Sequence, residues 1–232
     1  MTLNSRPILI APSVLAWNLG MLGDAVEIAS RGGADMIHLD VIDGHFAPNI
    51  TFGAGTVKAL RKVSRLTFDT HLMISEPLRY AERFIEAGSD ILTFHVEVLT
   101  PETFDGLYAV VQRGGRRMGL ALKPGTELPA WAVERLEKLS TVIVMTVNPG
   151  FSGQTMDMTV MPKLERISNL LNEKGLATNV EIDGGVEPEN VGEVVRRGGN
   201  VLVAGAGVYG KRDPVAAIGD LRARAAAARG GA

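Results

Sequence analysis

Met36-Ile-His-Leu-Asp-Val-Ile42 is a run of seven residues in which only His38 and Asp40 are polar. Turn signals bound the run on both sides, with Gly32-Gly33 before it and Gly44 after it. A short apolar run between turn residues is typical of a β-strand that is buried on both faces of a parallel sheet. The run therefore predicts a central strand with two polar side chains, which are costly to bury without partners.

Seven further runs of this kind recur along the chain, at residues 8–12, 68–73, 91–96, 118–122, 141–147, 179–182 and 201–204. Segments with helical spacing of apolar residues lie between them. Eight strand-then-helix units over 232 residues average 29 residues each, about what one such unit needs. We predict an α/β fold in which residues 1–232 form a single (β/α)8 TIM-barrel domain, with the active site at the C-terminal ends of the strands. An open, doubly wound sheet is the main alternative.

The composition excludes several classes of function. Lys and Arg number 24 against 26 Asp and Glu, a net charge of −2 without a block of one sign, which argues against nucleic acids and anionic membranes as partners. The absence of cysteine excludes disulfides, thiolate catalysis and Cys-ligated zinc. No apolar run reaches the roughly 18 residues of a membrane span, and residues 1–7 lack the apolar core of a signal peptide. We therefore expect a cytoplasmic protein with small-molecule partners.

Polar residues lie inside or just after several of the apolar runs. His38 and Asp40 are two residues apart and therefore point to the same face of their strand. His71 and Asp183 belong to two other predicted strands, so the four side chains can meet at one end of the barrel. Two imidazoles and two carboxylates suit a divalent metal ion such as zinc, or iron, manganese or cobalt. The alternative is that each is only a buried structural residue. His45 and His95 lack polar company of this kind in the sequence, and we expect each of them either to be structural or to support the ligands from behind.

Glycines follow the last three predicted strands. They occur in Gly150-Phe151-Ser152-Gly153, in Gly184-Gly185 and in Gly205-Ala206-Gly207. Glycine allows backbone N–H groups to approach an anion closely, and TIM barrels often hold a phosphate between the loops after the last strands. The sequence thus predicts a phosphate site, with simple tight turns as the alternative.

A segment near the C-terminus matches a nucleotide-binding motif in sequence but lacks the structural context that the motif requires. Gly205-Ala-Gly207-Val-Tyr-Gly210 matches G-x-G-x-x-G, but the dinucleotide fold requires a further βαβ unit, and only 22 residues follow Gly210. A P-loop would need Ser or Thr at the position of Arg212. We expect no nucleotide cofactor.

Several motifs together resemble the ribulose-phosphate 3-epimerase family over nearly the whole chain, from Ile10 to Gly205. The most specific is His38-Leu-Asp-Val-Ile-Asp-Gly-His-Phe-Ala-Pro-Asn49, followed by Thr51-Phe-Gly53. The others are Ile10-Ala-Pro-Ser-Val-Leu15, His71-Leu-Met73, Met145-Thr-Val-Asn-Pro-Gly-Phe-Ser-Gly-Gln154 and Asp183-Gly-Gly-Val186. The resemblance implies a TIM barrel that interconverts D-ribulose 5-phosphate and D-xylulose 5-phosphate by inverting C3, in the pentose phosphate pathway.

The resemblance also implies a role for each motif residue. His38, Asp40, His71 and Asp183 would bind one divalent metal ion, zinc in the first place, and Asp40 and Asp183 would double as the acid–base pair. Ser13 and His71 would contact the sugar. The phosphate would be held by Gly150, Phe151, Ser152, Gly153, Gly184, Gly185, Gly205 and Ala206. Members of the family form dimers or larger assemblies, so a homo-oligomer is expected.

Three positions depart from the pattern of that family. Ile42 stands where Met is common and keeps the site apolar. Ser152 replaces a frequent Gly, and Ala206 replaces a usual Ser whose hydroxyl could contact phosphate. The last two changes leave a 3-epimerase of a ketohexose 6-phosphate, such as D-allulose 6-phosphate, as the alternative.

Two more distant alternatives have less support. A decarboxylase on a related barrel would carry Asp-x-Lys-x-x-Asp on this strand, whereas here Asp40-Val-Ile-Asp43 lacks the lysine. A non-catalytic phosphosugar-binding barrel would have lost an acid, a metal ligand or the phosphate loop, and all of these are present.

Overall fold

Strands and helices alternate along residues 6–230, the part of the chain that this computed structural model describes. The strands are β1 (Leu9–Pro12), β2 (Met36–Ile42), β3 (Thr67–Met73), β4 (Ile91–His95), β5 (Arg117–Leu122), β6 (Thr141–Met145), β7 (Asn179–Asp183) and β8 (Val201–Ala204). The helices are α1 (Leu22–Arg31), α2 (Ala54–Arg61), α3 (Pro77–Ala87), α4 (Pro101–Arg113), α5 (Ala130–Val133), α6 (Met161–Glu173), α7 (Val191–Arg196), α8 (Ala206–Tyr209) and α9 (Pro214–Gly230). The predicted domain also included residues 1–5 and 231–232, which lie outside the described residues.

The eight strands form one parallel sheet in the order β1-β8-β7-β6-β5-β4-β3-β2. A parallel bridge between Ser13 and His38 joins the two ends of the sheet, and the amide of Asp35 donates a 3.0 Å hydrogen bond to the carbonyl of Ile10. The prediction of a (β/α)8 TIM barrel is therefore confirmed, and the open doubly wound alternative is wrong.

Alternation of side chains along each strand explains why the strands read as continuous apolar runs. On β2, Ile37, Leu39 and Val41 point outward into the main apolar core beneath the helices. The helices complete this core with one face each, as α3 does by burying Ala81, Phe84 and Ala87. Both faces of the sheet are thus covered, as parallel sheets require.

The interior of the barrel is apolar at both ends and polar between them. On β2 the inward side chain of Met36 joins one apolar cluster and that of Ile42 joins a second, while His38 and Asp40 lie between the two. Buried polar side chains from other strands share this middle layer, among them Asp69, Thr93, Thr141 and Glu181. The polar layer lies directly beneath the C-terminal ends of the strands.

None of the helices formed by residues 6–230 combines the length and the apolar character that crossing a lipid bilayer requires.

Candidate active site

The structure brings His38, Asp40, His71 and Asp183 together in one buried cluster, with one donor atom of each within 4.8 Å of the others. Nε2 of His38 lies 3.3 Å from Oδ1 of Asp40, and Nδ1 of His71 lies 3.3 Å from Oδ2 of Asp183. The two imidazoles face each other at 3.3 Å between Nε2 of His38 and Nδ1 of His71. The predicted meeting of these four side chains is therefore observed.

Strand register explains how residues so distant in sequence converge. Asp40 and His71 are direct partners across β2 and β3, and the bridge to Ser13 places His38 beside the end of β1. Asp183 is the last residue of β7. The cluster thus lies where the C-terminal ends of several parallel strands meet, which is where TIM barrels place their active sites.

The cluster concentrates positive charge on its imidazoles. Although burial alone would lower it, hydrogen bonds with Asp183 and Asp40 raise the pKa of His71 to about 9. Burial would raise the pKa of Asp40, but the neighbouring charge and hydrogen bond of His38 hold it well below its ordinary value. The two carboxylates thus stabilise positive charge beside them. Together with one nitrogen of each imidazole, they form a donor set that can hold a metal ion.

A second pair of carboxylates lies behind His38. Its Nδ1 is 2.7 Å from Oδ2 of Asp69 and 3.3 Å from Oε1 of Glu181, which also accepts a 2.9 Å hydrogen bond from Thr141 through Oε2. Burial and the charge of Asp69 raise the pKa of Glu181 to about 8, which favours the protonated form of this carboxyl. We did not predict either residue from the sequence, although each precedes a predicted ligand by two positions and so shares its face.

His71 is likewise supported from behind. Its Nε2 lies 2.9 Å from Nε2 of His95, and Nδ1 of His95 lies 2.8 Å from Oε2 of Glu97. Burial lowers the pKa of His95 to about 4. His95 therefore occupies the supporting position that was one of its two expected roles, whereas its expected isolation is wrong. His45 lies exposed in the loop after β2, with Nδ1 3.2 Å from the carbonyl of Asp43.

A cavity of about 420 Å³ opens directly above the cluster. Asp40 and Asp183 border its floor beside Ser13, whose hydroxyl donates a 2.5 Å hydrogen bond to Oδ2 of Asp40. Apolar side chains complete the lower wall: Leu15, Ile42, Met73 and Met145. His71 is fully buried and is not among the residues that line this cavity, and the sugar contact implied for it stays a prediction.

The other predicted substrate-binding residues line the rim of the same cavity: Gly150, Phe151, Ser152, Gly153, Gly184, Gly185, Gly205 and Ala206. The loop after β6 is held in place by Asn49, which donates a 2.7 Å hydrogen bond to the carbonyl of Gly150, and by Gln154, which donates to that of Phe151 at 2.8 Å. The Asn49 contact links the loop after β2 to the loop after β6 at the mouth of the cavity, and the Gln154 contact lies within the second loop.

Backbone conformation accounts for part of the glycine pattern. Gly184 and Gly185 have φ values of 118° and 62°, in the region that side chains disfavour. A Cβ on Gly185 would also clash with the amide nitrogen of Met156. Within residues 6–230 we find no hydrogen-bond acceptor for the N–H groups of Gly185, Gly205 and Ala206, all at the cavity. The turns therefore need glycine and also leave donors available for an anion.

Fold and site together define a TIM-barrel enzyme with a buried His/Asp centre that can hold a metal ion. The chain belongs to the Ribulose-phosphate 3 epimerase family, whose model matches residues 9–209. Its relatives include the ribulose-phosphate 3-epimerase of Bacillus subtilis (strain 168), 42% identical over 217 residues that cover 93% of this chain and 98% of that protein. The chloroplastic ribulose-5-phosphate-3-epimerase of Arabidopsis thaliana is 40% identical and is covered to 76%, against 93% of this chain. The resemblance drawn from the motifs is thus confirmed.

Solved structures share the barrel at much lower sequence identity. A crystal structure of KGPDC from Streptococcus mutans has a TM-score of 0.73 and 16% identity, over 95% of this chain and 98% of that chain. The 3-hexulose-6-phosphate synthase from Salmonella typhimurium has a TM-score of 0.69 and 16% identity, over 95% and 99%. These likenesses concern the fold alone.

Proposed function

We propose that this chain is a metal-dependent epimerase that inverts C3 of D-ribulose 5-phosphate, through a 2,3-enediolate, to give D-xylulose 5-phosphate. One observation carries the proposal: the carboxylates of Asp40 and Asp183 border the same cavity and adjoin the same two imidazoles. The relatives named above support the substrate, and the paired carboxylates support the type of reaction.

Two acids suit an inversion at carbon. One proton must leave one face of C3, and another must arrive on the opposite face. A single base would have to move around the substrate, whereas two carboxyl groups serve both faces without moving. Asp40 and Asp183 come from β2 and β7, which are separated around the barrel by β1 and β8. In each direction one carboxylate removes the C3 proton and the other group, protonated, returns one.

The same residues would hold the metal ion through Nε2 of His38, Nδ1 of His71 and one oxygen each of Asp40 and Asp183. We expect zinc, with Fe²⁺, Mn²⁺ or Co²⁺ as alternatives, because imidazole and carboxylate donors suit all of them. When bound, the cation supplies positive charge that stabilises negative charge on the substrate's C2 and C3 oxygens. Ser13 orients Asp40 by binding Oδ2, which leaves Oδ1 directed at the imidazoles.

The rim of the cavity would bind the phosphate. The free N–H groups of Gly185, Gly205 and Ala206 are donors of the kind that phosphate oxygens accept, and the loop of residues 150–153 lies across the same opening. Binding energy at the phosphate, remote from C3, positions the reacting carbon between the two acids. The substrate is thus a phosphorylated ketose, and we expect the enzyme to act as a homo-oligomer in the cytoplasm.

Solvent deuterium incorporation tests the reaction. In D₂O, with D-ribulose 5-phosphate as substrate, proton NMR should show deuterium at C3 of both pentulose phosphates as they interconvert. Interconversion with full retention of the C3 proton would contradict exchange through two carboxyl groups.

Two additions to that assay test the metal ion and the substrate. A chelator should abolish turnover, and Zn²⁺ or another of the four cations should restore it; full activity of the metal-free chain would contradict the metal centre. Turnover of D-allulose 6-phosphate, measured in parallel, tests the alternative that the enzyme is a 3-epimerase of a ketohexose 6-phosphate, which the residues Ser152 and Ala206 suggest. A higher kcat/KM on the hexulose phosphate would replace the pentulose substrate.

A further inference from the structure

A chain of side-chain contacts leads from the metal-binding cluster to the surface of the barrel. Nδ1 of His71 faces Asp183 at 3.3 Å, and its Nε2 lies 2.9 Å from Nε2 of His95. Nδ1 of His95 lies 2.8 Å from Oε2 of Glu97, whose Oε1 accepts a 2.8 Å hydrogen bond from the amide of Lys123. Glu97 follows β4 by two residues and its side chain is 18% exposed, so the chain of contacts ends near solvent.

The groups at the two ends of this series of contacts determine which ring nitrogen of each histidine carries a proton. An ionised carboxylate only accepts hydrogen bonds, so Glu97 requires a proton on Nδ1 of His95. Neutral imidazole then has an acceptor at Nε2, which requires Nε2 of His71 to be the donor. A cation that displaces the proton shared with Asp40 and Asp183 then meets the lone pair of Nδ1, the atom of His71 that faces both carboxylates. Only this tautomer of His71 can bind a cation at that position.

Packing keeps the two imidazoles in this arrangement. The rings of His71 and His95 are nearly parallel, with centroids 4.9 Å apart, and the ring of Phe46 lies 4.5 Å from that of His95. The ammonium group of Lys123 lies 3.9 Å from the centroid of Phe46. Both imidazoles are fully buried, so packing opposes their reorientation and the direction of their hydrogen bonds is the freedom that remains.

We propose that His95 and Glu97 are positioning residues, which hold His71 in the tautomer that presents Nδ1 to the metal ion and thereby set the affinity of the chain for that ion. This inference rests on the proposed metal centre. Side chains that orient a ligating imidazole typically change metal affinity by about 10- to 100-fold when they are altered.

An isosteric substitution can reverse the direction of the hydrogen bonds without changing the packing. In Glu97→Gln, the amide of Lys123 still needs an acceptor and takes the Gln oxygen, so the Gln NH₂ group must donate to Nδ1 of His95. His95 then carries its proton on Nε2, and Nε2 of His71 must accept. The proton of His71 moves to Nδ1 and blocks the metal.

Zinc affinity of the metal-free chain, measured by competition with a chromophoric chelator, should therefore fall about 10- to 100-fold in Glu97→Gln. His95→Gln should bind zinc within a few-fold of wild type, because its amide can both accept from His71 and donate to Glu97, whereas His95→Leu should bind weakly. Glu127→Gln, whose exposed carboxylate pairs with Arg166, is the matched control and should not differ from wild type.

Each result has a separate meaning. Wild-type zinc affinity in Glu97→Gln, with folding confirmed by circular dichroism, overturns the positioning role and leaves the metal centre intact. A wild-type chain that takes up none of the four cations overturns the metal centre and this inference with it. As a second measurement, ¹⁵N NMR of the His95 ring should show the proton on Nδ1 in wild type, with or without zinc, and on Nε2 in Glu97→Gln; a proton on Nε2 in wild type overturns the inference.

Discussion

His38 and Asp69 are direct register partners on β2 and β3, and Nδ1 of His38 lies 2.7 Å from Oδ2 of Asp69. The other nitrogen of the ring lies 3.3 Å from Oδ1 of Asp40 at the floor of the cavity. One imidazole therefore connects the candidate active site to the polar layer inside the barrel. The strand pairing that builds the barrel also places the partner that fixes this ring.

Asp69→Asn should destabilise the chain. The substitution replaces a buried, charged acceptor of His38 with a neutral amide, a change that typically costs about 1–3 kcal/mol. Urea denaturation in the presence of a chelator measures this loss. Asp220→Asn, which affects a surface pair with Arg224, is the control, and equal stability of the two variants would contradict the structural role of Asp69.

Asp40→Asn and Asp183→Asn should each lower kcat of epimerisation by about 100- to 10,000-fold, because each removes one of the two acid–base groups. Steady-state assay at saturating metal and substrate tests this. Glu189→Gln changes an acid at the rim of the same cavity, away from the imidazoles, and should retain most activity. Substantial turnover in both Asp variants would rule out the two-acid mechanism.

Asp43 should make a pH-dependent contribution to stability. Partial burial acts in the opposite direction, but hydrogen bonds from the amides of Phe46, Ser75 and His45 lower the pKa of Asp43 to about 2. A lowered pKa stabilises the folded chain above about pH 4, and this contribution disappears as the pH falls through 2. Because the carboxylate is largely solvated, we expect about 1 kcal/mol.

Denaturation of wild type and Asp43→Asn between pH 6 and pH 2 checks this contribution. The difference in unfolding free energy between the two should be largest near pH 6 and vanish near pH 2. A difference that is constant over this range would show that the charge of Asp43 is not responsible.

Gly185→Ala should be far more destabilising than Gly175→Ala. Both glycines have positive φ, 62° and 68°, so both substitutions carry the conformational cost of about 1 kcal/mol. Only at Gly185 would the new Cβ clash with backbone, at the nitrogen of Met156, whereas it would meet nothing within 4 Å at Gly175. Thermal unfolding of both variants compares them, and similar losses would contradict the close approach at Gly185.

The sequence was sufficient to predict the strands and the cluster of His38, Asp40, His71 and Asp183. Each observed strand begins and ends within two residues of a predicted run, because strands covered on both faces are apolar throughout. Polar residues inside such runs are conspicuous for the same reason. Once a barrel is predicted, its parallel strands place these polar residues at one end, and no further sequence signal is needed to predict the cluster.

The supporting residues could not be predicted with the same argument. His95 and His71 are 24 residues apart, and their contact depends on how β3 and β4 pair. Asp69 and Glu181 did carry a signal, since each lies two positions before a predicted ligand on the same strand face. Both side chains converge on the ring of His38 only because the barrel closes. The sequence of either strand alone does not predict that convergence.

The closing bridge between Ser13 and His38 has a consequence for biosynthesis. The cluster draws on β2, β3 and β7, so a ribosome must translate residue 183 before all four side chains exist, and β8 must follow before the barrel can close. A nascent chain therefore emerges with its carboxylates and imidazoles unassembled. For the proposed metal centre, a complete set of ligands exists only once Asp183 has been synthesised, so cation binding would follow translation of seven of the eight strands.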